Sequence, residues 1–256
     1  MVRSSTSQPK ESNERADDDH LKPRYFNPDS VLQKSGHGSY VDLPNGETYL
    51  VHLTSRPFVP ELRCTLGRET AIQKMQWTSD GWLRMADGSN LAKIEVEEPN
   101  LPDVPMPEIP NFDDFDGGEL GNWYYSPRQM PSTFANATER PGWLRVRGEE
   151  SLASLNRTSL LTRKLTSVYA TVTTKMEFEP EVYQHSAGLT IYYDNMNNIF
   201  LRKYYSQTLG GSAISIVRLE NGEKTEMLDT RVAVEDKPIY FRLNIEGRRT
   251  LVRMGL

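Results

Sequence analysis

The stretch AGLTIYYDNMNNIFLRKYY, residues 187–205, decides the fold class. Apolar residues dominate 187–193, which predicts a central β-strand. Residues 194–198 hold one aspartate and three asparagines, the side chains that favour a chain reversal. Residues 199–205 are again rich in β-branched and aromatic residues. We therefore expect two antiparallel strands joined by a short polar turn.

The same pattern continues on both sides of this hairpin. Asn221-Gly222 and Glu246-Gly247 are typical turn pairs, and each is flanked by short apolar runs. Further strands are predicted at residues 142–147, 168–178, 213–219, 225–228, 239–245 and 249–252. No window has a sustained apolar period of 3.6 residues over a helical length. The sequence predicts an all-β chain, with a jelly-roll β-sandwich in its C-terminal part.

Two hairpins are predicted nearer the N-terminus. Residues 40–43 and 47–53 flank Pro44-Asn45-Gly46, and residues 71–77 and 82–85 flank a turn at 78–81. Asn-Gly supplies the positive φ angles that a tight hairpin needs. Two consecutive hairpins suit a propeller blade or a barrel, but they are too small to form a domain alone.

A proline-rich connector separates these regions. Residues 95–111 carry prolines at positions 99, 102, 105, 107 and 110, which favours an extended, semi-rigid linker. Residues 1–26 are strongly polar, and we expect a disordered tail there. The predicted organisation is the tail at 1–26, a small β region at 27–94, the linker at 95–111 and the sandwich at 112–256. No signal peptide is recognisable, which leaves the location open between the cytoplasm and, if the true N-terminus is missing, secretion.

Composition excludes several classes of protein. The chain has 256 residues, a net charge of -5 and one cysteine, Cys64. A single cysteine excludes an intrachain disulfide and a cysteine zinc cluster. The apolar runs are too short for a membrane-spanning helix. The acidic charge argues against a nucleic-acid partner or an anionic membrane surface.

Few residues form a recognisable chemical motif. The four histidines are not arranged as HExxH or as a close metal pair, and GxSxG, P-loop and GxGxxG motifs are absent. His37 lies between glycines in Ser35-Gly36-His37-Gly38-Ser39, so it is either an accessible imidazole or an ordinary loop histidine. Arg68 precedes a strand in Gly67-Arg68-Glu69; its guanidinium either binds a sugar or carboxylate or pairs with Glu69.

Aromatic residues and glycosylation sequons leave further alternatives open. Trp77 and Trp82 either form a platform that stacks on sugars or, as we expect, belong to the hairpin core. Asn136 and Asn156 each begin a sequon that the sequence alone does not show to be used.

Two longer stretches carry a family resemblance. Residues 32–57, LQKSGHGSYVDLPNGETYLVHLTSRP, and 63–85, RCTLGRETAIQKMQWTSDGWLRM, resemble the last part of the catalytic propeller of glycoside hydrolase family 43. IPNFDDFDG, ERPGWLRVRGEESL and MEFEPEVYQHSAGLTIYYDNMNN resemble the concanavalin A-like sandwich of its β-xylosidases and α-L-arabinofuranosidases. The resemblance covers residues 27–253. It implies a partial five-bladed propeller followed by a C-terminally truncated sandwich.

The resemblance also implies a reaction and two site residues. The family inverts at the anomeric carbon, using an aspartate base, a glutamate acid and a second aspartate; inversion requires carboxylates roughly 6.5–9.5 Å apart. Those carboxylates lie on early blades, so none is assigned in this chain, and Asp42, Glu47 and Glu69 are not candidates. His37 matches a residue of the active-centre floor that in some members helps to hold a divalent cation such as calcium. Arg68 matches a residue that reaches into the sugar pocket.

We therefore expect a portion of a family 43 glycosidase that is inactive alone, with no cofactor apart from that cation. Its expected ligand is a xylo- or arabino-oligosaccharide, and its expected protein partners are a second copy or the missing propeller portion. A different class of function stays open, a carbohydrate-binding or purely structural sandwich. In that case four aromatic side chains would stack on sugars: Trp123, Tyr124, Tyr125 and Trp143.

Overall fold

The computed structural model describes residues 29–255. The predicted disordered tail, residues 1–26, lies outside this range. The described chain is almost entirely β, apart from one 3₁₀ turn at Pro131–Thr133, which confirms the predicted fold class. Its residues contain no helix of the length and apolarity that crossing a membrane requires. The chain divides after Met106 into two compact units, a division that falls inside the predicted linker.

The first unit is a single four-stranded antiparallel sheet in the order β1-β2-β3-β4. Its strands are β1 Gln33–Asp42, β2 Thr48–Ser55, β3 Glu69–Trp77 and β4 Leu83–Met85. Both predicted hairpins are confirmed. The β1–β2 turn closes when Gly46 N donates to Leu43 O at 3.0 Å, with Gly46 at φ 88°. One face of this sheet carries the buried core, formed by Leu50, Met75, Leu83 and Met85.

The first half of the predicted linker is bound to this sheet. Asn100 N donates to Glu47 Oε2 at 2.9 Å, and Tyr49 Oη donates to the Glu97 carbonyl at 3.1 Å. Lys74 Nζ pairs with both Glu47 and Glu97, at 2.9 and 2.8 Å. Residues near 97–100 are thus part of the first unit.

The second unit contains two larger sheets and a short ribbon. The orders are β11-β10-β9-β8 and β13-β12-β7, and β5 pairs with β6. The strands are β5 Ala135–Asn136, β6 Arg145–Val146, β7 Tyr169–Met176, β8 Ser186–Tyr192, β9 Asn198–Ser206, β10 Gly211–Glu220, β11 Glu223–Ala233, β12 Ile239–Glu246 and β13 Arg249–Gly255. Neighbouring strands in both larger sheets are antiparallel.

The core of the second unit lies between the two larger sheets. Leu201 and Ile214 come from the four-stranded sheet, while Ile239 and Phe241 come from β12 of the other sheet. These four side chains are at most 3% exposed. This packing of sheet on sheet is the predicted β-sandwich.

Two details of the strand prediction are wrong. The apolar run at residues 187–193 predicts a central strand, but β8 lies at an edge of its sheet, beside β9. Its side chains are only partly buried, because β9 and β10 occupy the centre. The strand expected at 142–147 is reduced to Arg145–Val146.

Candidate functional site

His37 lies on a distorted part of β1. The pairing of β1 with β2 shifts register on either side of Gly36, and His37 has a φ of 46°. A positive φ is uncommon for a residue with a Cβ and marks a backbone held by its surroundings. A Cβ at position 38 would lie 2.8 Å from Leu50 Cδ1, so glycine lets β1 pass close to the core. The imidazole is exposed and has no hydrogen-bond partner among residues 29–255.

Arg68 lies immediately before β3 and follows Gly67, whose φ is 74°. Its guanidinium is exposed and is not paired with Glu69. Glu69 instead accepts hydrogen bonds from Arg56, from Nη2 to Oε1 at 2.7 Å and from Nε to both Oε1 and Oε2 at 3.1 Å. The alternative of an Arg68–Glu69 ion pair is therefore wrong. Within the described chain, Arg68 has no ion-pair partner.

The sheet register brings His37 and Arg68 to the same end of the first unit. Gly36 pairs with Leu53, and Leu53 pairs with Thr70, so these residues form one row across three strands. His37 directly follows Gly36, and Arg68 lies two residues before Thr70. With strands about 4.8 Å apart, the two backbones are separated by roughly 10–15 Å.

The carboxylates of this sheet are held by structural partners. Asp42 Oδ1 accepts hydrogen bonds from Thr48 Oγ1 at 2.6 Å and Trp77 Nε1 at 3.0 Å, which lower its pKa. Lys74 and the Asn100 amide lower the pKa of Glu47 to about 2. A glycosidase acid requires a raised pKa. Neither group has the electrostatics of a general acid.

A divalent cation near His37 would need ligands from elsewhere. Residues 29–255 hold no group of three His, Cys, Asp or Glu side chains that could bind a metal ion. His37 alone supplies one imidazole, so the described residues do not fit a complete cation site.

The sequence carries no local signal for a buried polar network that the structure shows in the same sheet. His52 is 2% exposed and Gln73 is fully buried. The Nδ1 of His52 lies 2.9 Å from the Leu53 carbonyl, so that nitrogen carries the proton, and Nε2 accepts from Gln73 Nε2 at 3.3 Å. Gln73 also donates to the Lys93 carbonyl and accepts from the Lys93 amide, both at 3.0 Å. Burial lowers the pKa of His52.

The aromatic side chains that were left open as sugar-stacking platforms are only partly clustered. Trp77 is 43% exposed and packs edge-on against Tyr40, so its assignment to the hairpin core is wrong. In the sandwich, Trp123 and Tyr124 are neighbours with ring centroids 6.2 Å apart. Trp143 instead lies against two cations, Arg140 at 4.2 Å and Lys175 at 5.2 Å from its ring centroid. Among the described residues, no ring contact links Trp143 to Trp123 or Tyr124, so the sandwich aromatics do not form one stacking surface.

Comparison with known proteins identifies both units. Residues 112–256 match the family model of the β-xylosidase C-terminal concanavalin A-like domain, and residues 2–83 match that of glycosyl hydrolases family 43. The chain belongs to glycoside hydrolase family 43. The predicted family is thus confirmed, together with a part of a propeller followed by a concanavalin A-like sandwich.

Three proteins similar to this family 43 chain are named as xylosidases. It is 32% identical over 242 residues to a β-xylosidase of Bacillus subtilis, covering 90% of this chain and 45% of that protein. It is 33% identical over 232 residues to a xylan 1,3-β-xylosidase of a Vibrio species, covering 86% and 43%. The crystal structure of a xylan β-1,4-xylosidase from Bacillus halodurans matches with a TM-score of 0.84 and 36% identity, covering 98% and 46%. The family 43 chain thus spans less than half the length of these relatives.

Proposed function

We propose that this chain contributes the sugar-binding His37 and Arg68 to a family 43 glycosidase that acts on xylo- or arabino-oligosaccharides. The observation that carries the proposal is their placement: both side chains are exposed, unpartnered within the described chain, and at one end of one sheet. The permanently charged, planar guanidinium of Arg68 donates hydrogen bonds to sugar hydroxyls. His37 offers both donor and acceptor nitrogens to the same ligand.

The chain by itself is proposed to bind but not to hydrolyse. Inverting hydrolysis needs a general acid and a general base on opposite faces of the sugar. Asp42, Glu47 and Glu69 are each held by hydrogen bonds or ion pairs within the first sheet. We therefore assign no general acid or base to this chain, and further catalytic groups must come from a polypeptide that completes the propeller.

Turnover measurements test this division of roles. The purified chain should release no aryl leaving group from aryl β-xylosides or aryl α-L-arabinofuranosides. Fusion to the part of the Bacillus subtilis β-xylosidase that the chain does not match should give an active protein. In that fusion, Arg68→Ala should lower kcat/KM by at least about tenfold through lost contacts to the sugar. Arg63→Ala, an exposed change in the same loop, is the matched control.

Two results would contradict the proposal. Saturable turnover by the chain alone would mean that it carries its own catalytic carboxylates. Equal kcat/KM for the fusion and its His37→Ala and Arg68→Ala variants would remove both residues from the sugar site.

A further inference from the structure

A patch of cations and aromatic rings lies on the sandwich. We call it the Trp143 patch and define it by five side chains: Arg140, Trp143, Lys175, Tyr240 and Arg242. Lys175 Nζ lies 5.2 Å from the ring centroid of Trp143 and 5.9 Å from that of Tyr240. Arg140 covers Trp143 at 4.2 Å. Trp143 therefore positions two cations instead of presenting a bare ring.

Strand register places the patch on the outer face of the three-stranded sheet. Tyr240 pairs with Lys175, and Arg242 pairs with Thr173. Successive side chains on a strand point to opposite faces. Ile239 and Phe241, which alternate with Tyr240 and Arg242, are fully buried in the core. Tyr240 is 44% exposed, and Lys175 and Arg242 are also exposed.

The patch has positive charge that the described chain does not neutralise. Glu177 binds Arg140 through both carboxylate oxygens, and this pairing lowers its pKa. Glu177 also attracts Lys175, although Lys175 forms no ion pair among residues 29–255, and Arg242 donates to Thr173 Oγ1 at 3.0 Å. Three cations thus share the single carboxylate of Glu177, which leaves the patch positive on a chain whose net charge is -5.

On β7 and β12, the same sheet face continues with polar side chains and ends at another aromatic ring. Beyond the pair of Arg242 and Thr173, Asn244 pairs with Thr171, and Glu246 then pairs with Tyr169. Tyr169 is 70% exposed. Six residues of strand separate it from Lys175, a distance of roughly 20 Å. The face is long enough for several sugar rings, with hydroxyl and amide groups between its aromatic ends.

We propose that this face binds a carboxylate-bearing polysaccharide. The apolar face of one ring stacks on Tyr240, Lys175 and Arg242 pair with a uronate group, and Thr171, Thr173 and Asn244 exchange hydrogen bonds with hydroxyls. The residues of this face all belong to the second unit, whereas His37 and Arg68 belong to the first. The choice of a xylan as the test ligand rests on the proposed function, whereas the binding face itself is argued from the sandwich alone.

Calorimetric titration of the full chain tests the proposal. The ligand is xylan with glucuronic acid branches, compared with the same xylan after reduction of its carboxylates to alcohols. We expect the acidic form to bind about tenfold more tightly or better. Lys175→Ala combined with Arg242→Ala should abolish this preference, and Tyr240→Ala should weaken binding of both forms. Arg218→Ala combined with Lys224→Ala removes the same charge from the other sheet and should leave the preference intact.

Several outcomes would overturn the assignment. One is the absence of heat with the acidic xylan, provided that circular dichroism shows the chain to be folded. Another is equal affinity for the reduced xylan or for dextran sulfate, since the first removes the need for carboxylates and the second indicates attraction to any polyanion. A third is an unchanged preference in the Lys175 and Arg242 double variant, which would place the site elsewhere. Because the readout is binding, none of these depends on turnover by the propeller.

Discussion

Gln73 is fully buried on β3, and its side-chain amide binds His52 and both backbone groups of Lys93. Gln73→Met keeps the length of the side chain but leaves those groups without partners. An unpaired buried polar group costs about 1–3 kcal/mol, so we expect the free energy of unfolding to fall by about 2–4 kcal/mol. Urea unfolding measures the change. Gln76→Met, an exposed substitution on the same strand, should stay within about 0.5 kcal/mol. Equal losses in both variants would contradict a role for the network.

His52 should make the stability of the first unit depend on pH. Burial lowers its pKa from the ordinary value of 6.5. Near and below pH 6.5, the unfolded chain therefore binds a proton at His52 more readily than the folded chain does. Stability is then complete above the unfolded pKa and is lost as the pH falls below about 6.5. Protonation would also direct an N–H of His52 at the donating amide of Gln73. We expect the urea midpoint to fall between pH 7.5 and 5.5.

His52→Gln supplies the comparison, because it removes the titrating ring while His37 and His185 stay in place. The midpoint of this variant should change less over the same pH range. Parallel pH profiles for the two proteins would exclude His52 as the origin of the effect. This range lies above the ordinary carboxylate pKa values, so the lowered pKa values of Glu47 and Asp80 do not contribute.

Single side chains differ in how far the sequence predicts them. The glycines next to His37 and Arg68 single out both residues, but their role in sugar binding comes from the family resemblance and stays a prediction. The partners of Glu69 and Gln73 left no such signal. Arg56 is 13 residues from Glu69, and Lys93 is 20 residues from Gln73. Only the pairing of strands brings them together, and sequence spacing does not give that pairing.

At the scale of the element, β8 depends on the absence of one side chain. A Cβ at Gly188 would lie 2.0 Å from the Leu201 carbonyl oxygen and 2.9 Å from Arg202 Cα. These are backbone atoms of the paired strand, so no side-chain rotation can relieve the clash. We expect Gly188→Ala to lower the free energy of unfolding of the sandwich by at least about 2 kcal/mol.

Gly211→Ala is the control for this substitution. Gly211 begins β10, and a Cβ there would have no heavy atom within 4 Å. Its stability should change by less than about 1 kcal/mol. Comparable losses at positions 188 and 211 would indicate a general cost of alanine in this sheet instead of a backbone clash.

Strand prediction succeeded where the turns were explicit. Gly46, Gly81, Gly222 and Gly247 all have positive φ angles, and each lies in a predicted hairpin turn. The order of strands within a sheet was harder to predict from the sequence, because the apolar run of β8 is compatible with either a central or an edge position. Trp143 was expected to alternate within a strand, but its contacts with Arg140 and Lys175 belong to an irregular segment before β6.

At the scale of the whole molecule, residues 29–255 form two apolar cores, one in each unit. Leu50, Met75, Leu83 and Met85 form the first, while Leu201, Ile214, Ile239 and Phe241 form the second. The sequence predicted a proline-rich connector between two β regions. It could not show that residues near 97–100 bind to the first sheet. Their partners are Glu47, Tyr49 and Lys74, which are distant in sequence and come close only when the sheet folds.

Two cores predict two unfolding transitions in differential scanning calorimetry, because each unit buries its own apolar surface. Gln73→Met should lower the midpoint of one transition and leave the other in place, whereas Gly188→Ala should do the reverse. For domains of this size, a loss of about 2 kcal/mol corresponds to a shift of roughly 8–16 °C in the smaller unit and less in the larger. If both substitutions lower the midpoint of one common transition, the units unfold together, and the calorimetric enthalpy will then equal the van't Hoff enthalpy for the entire chain.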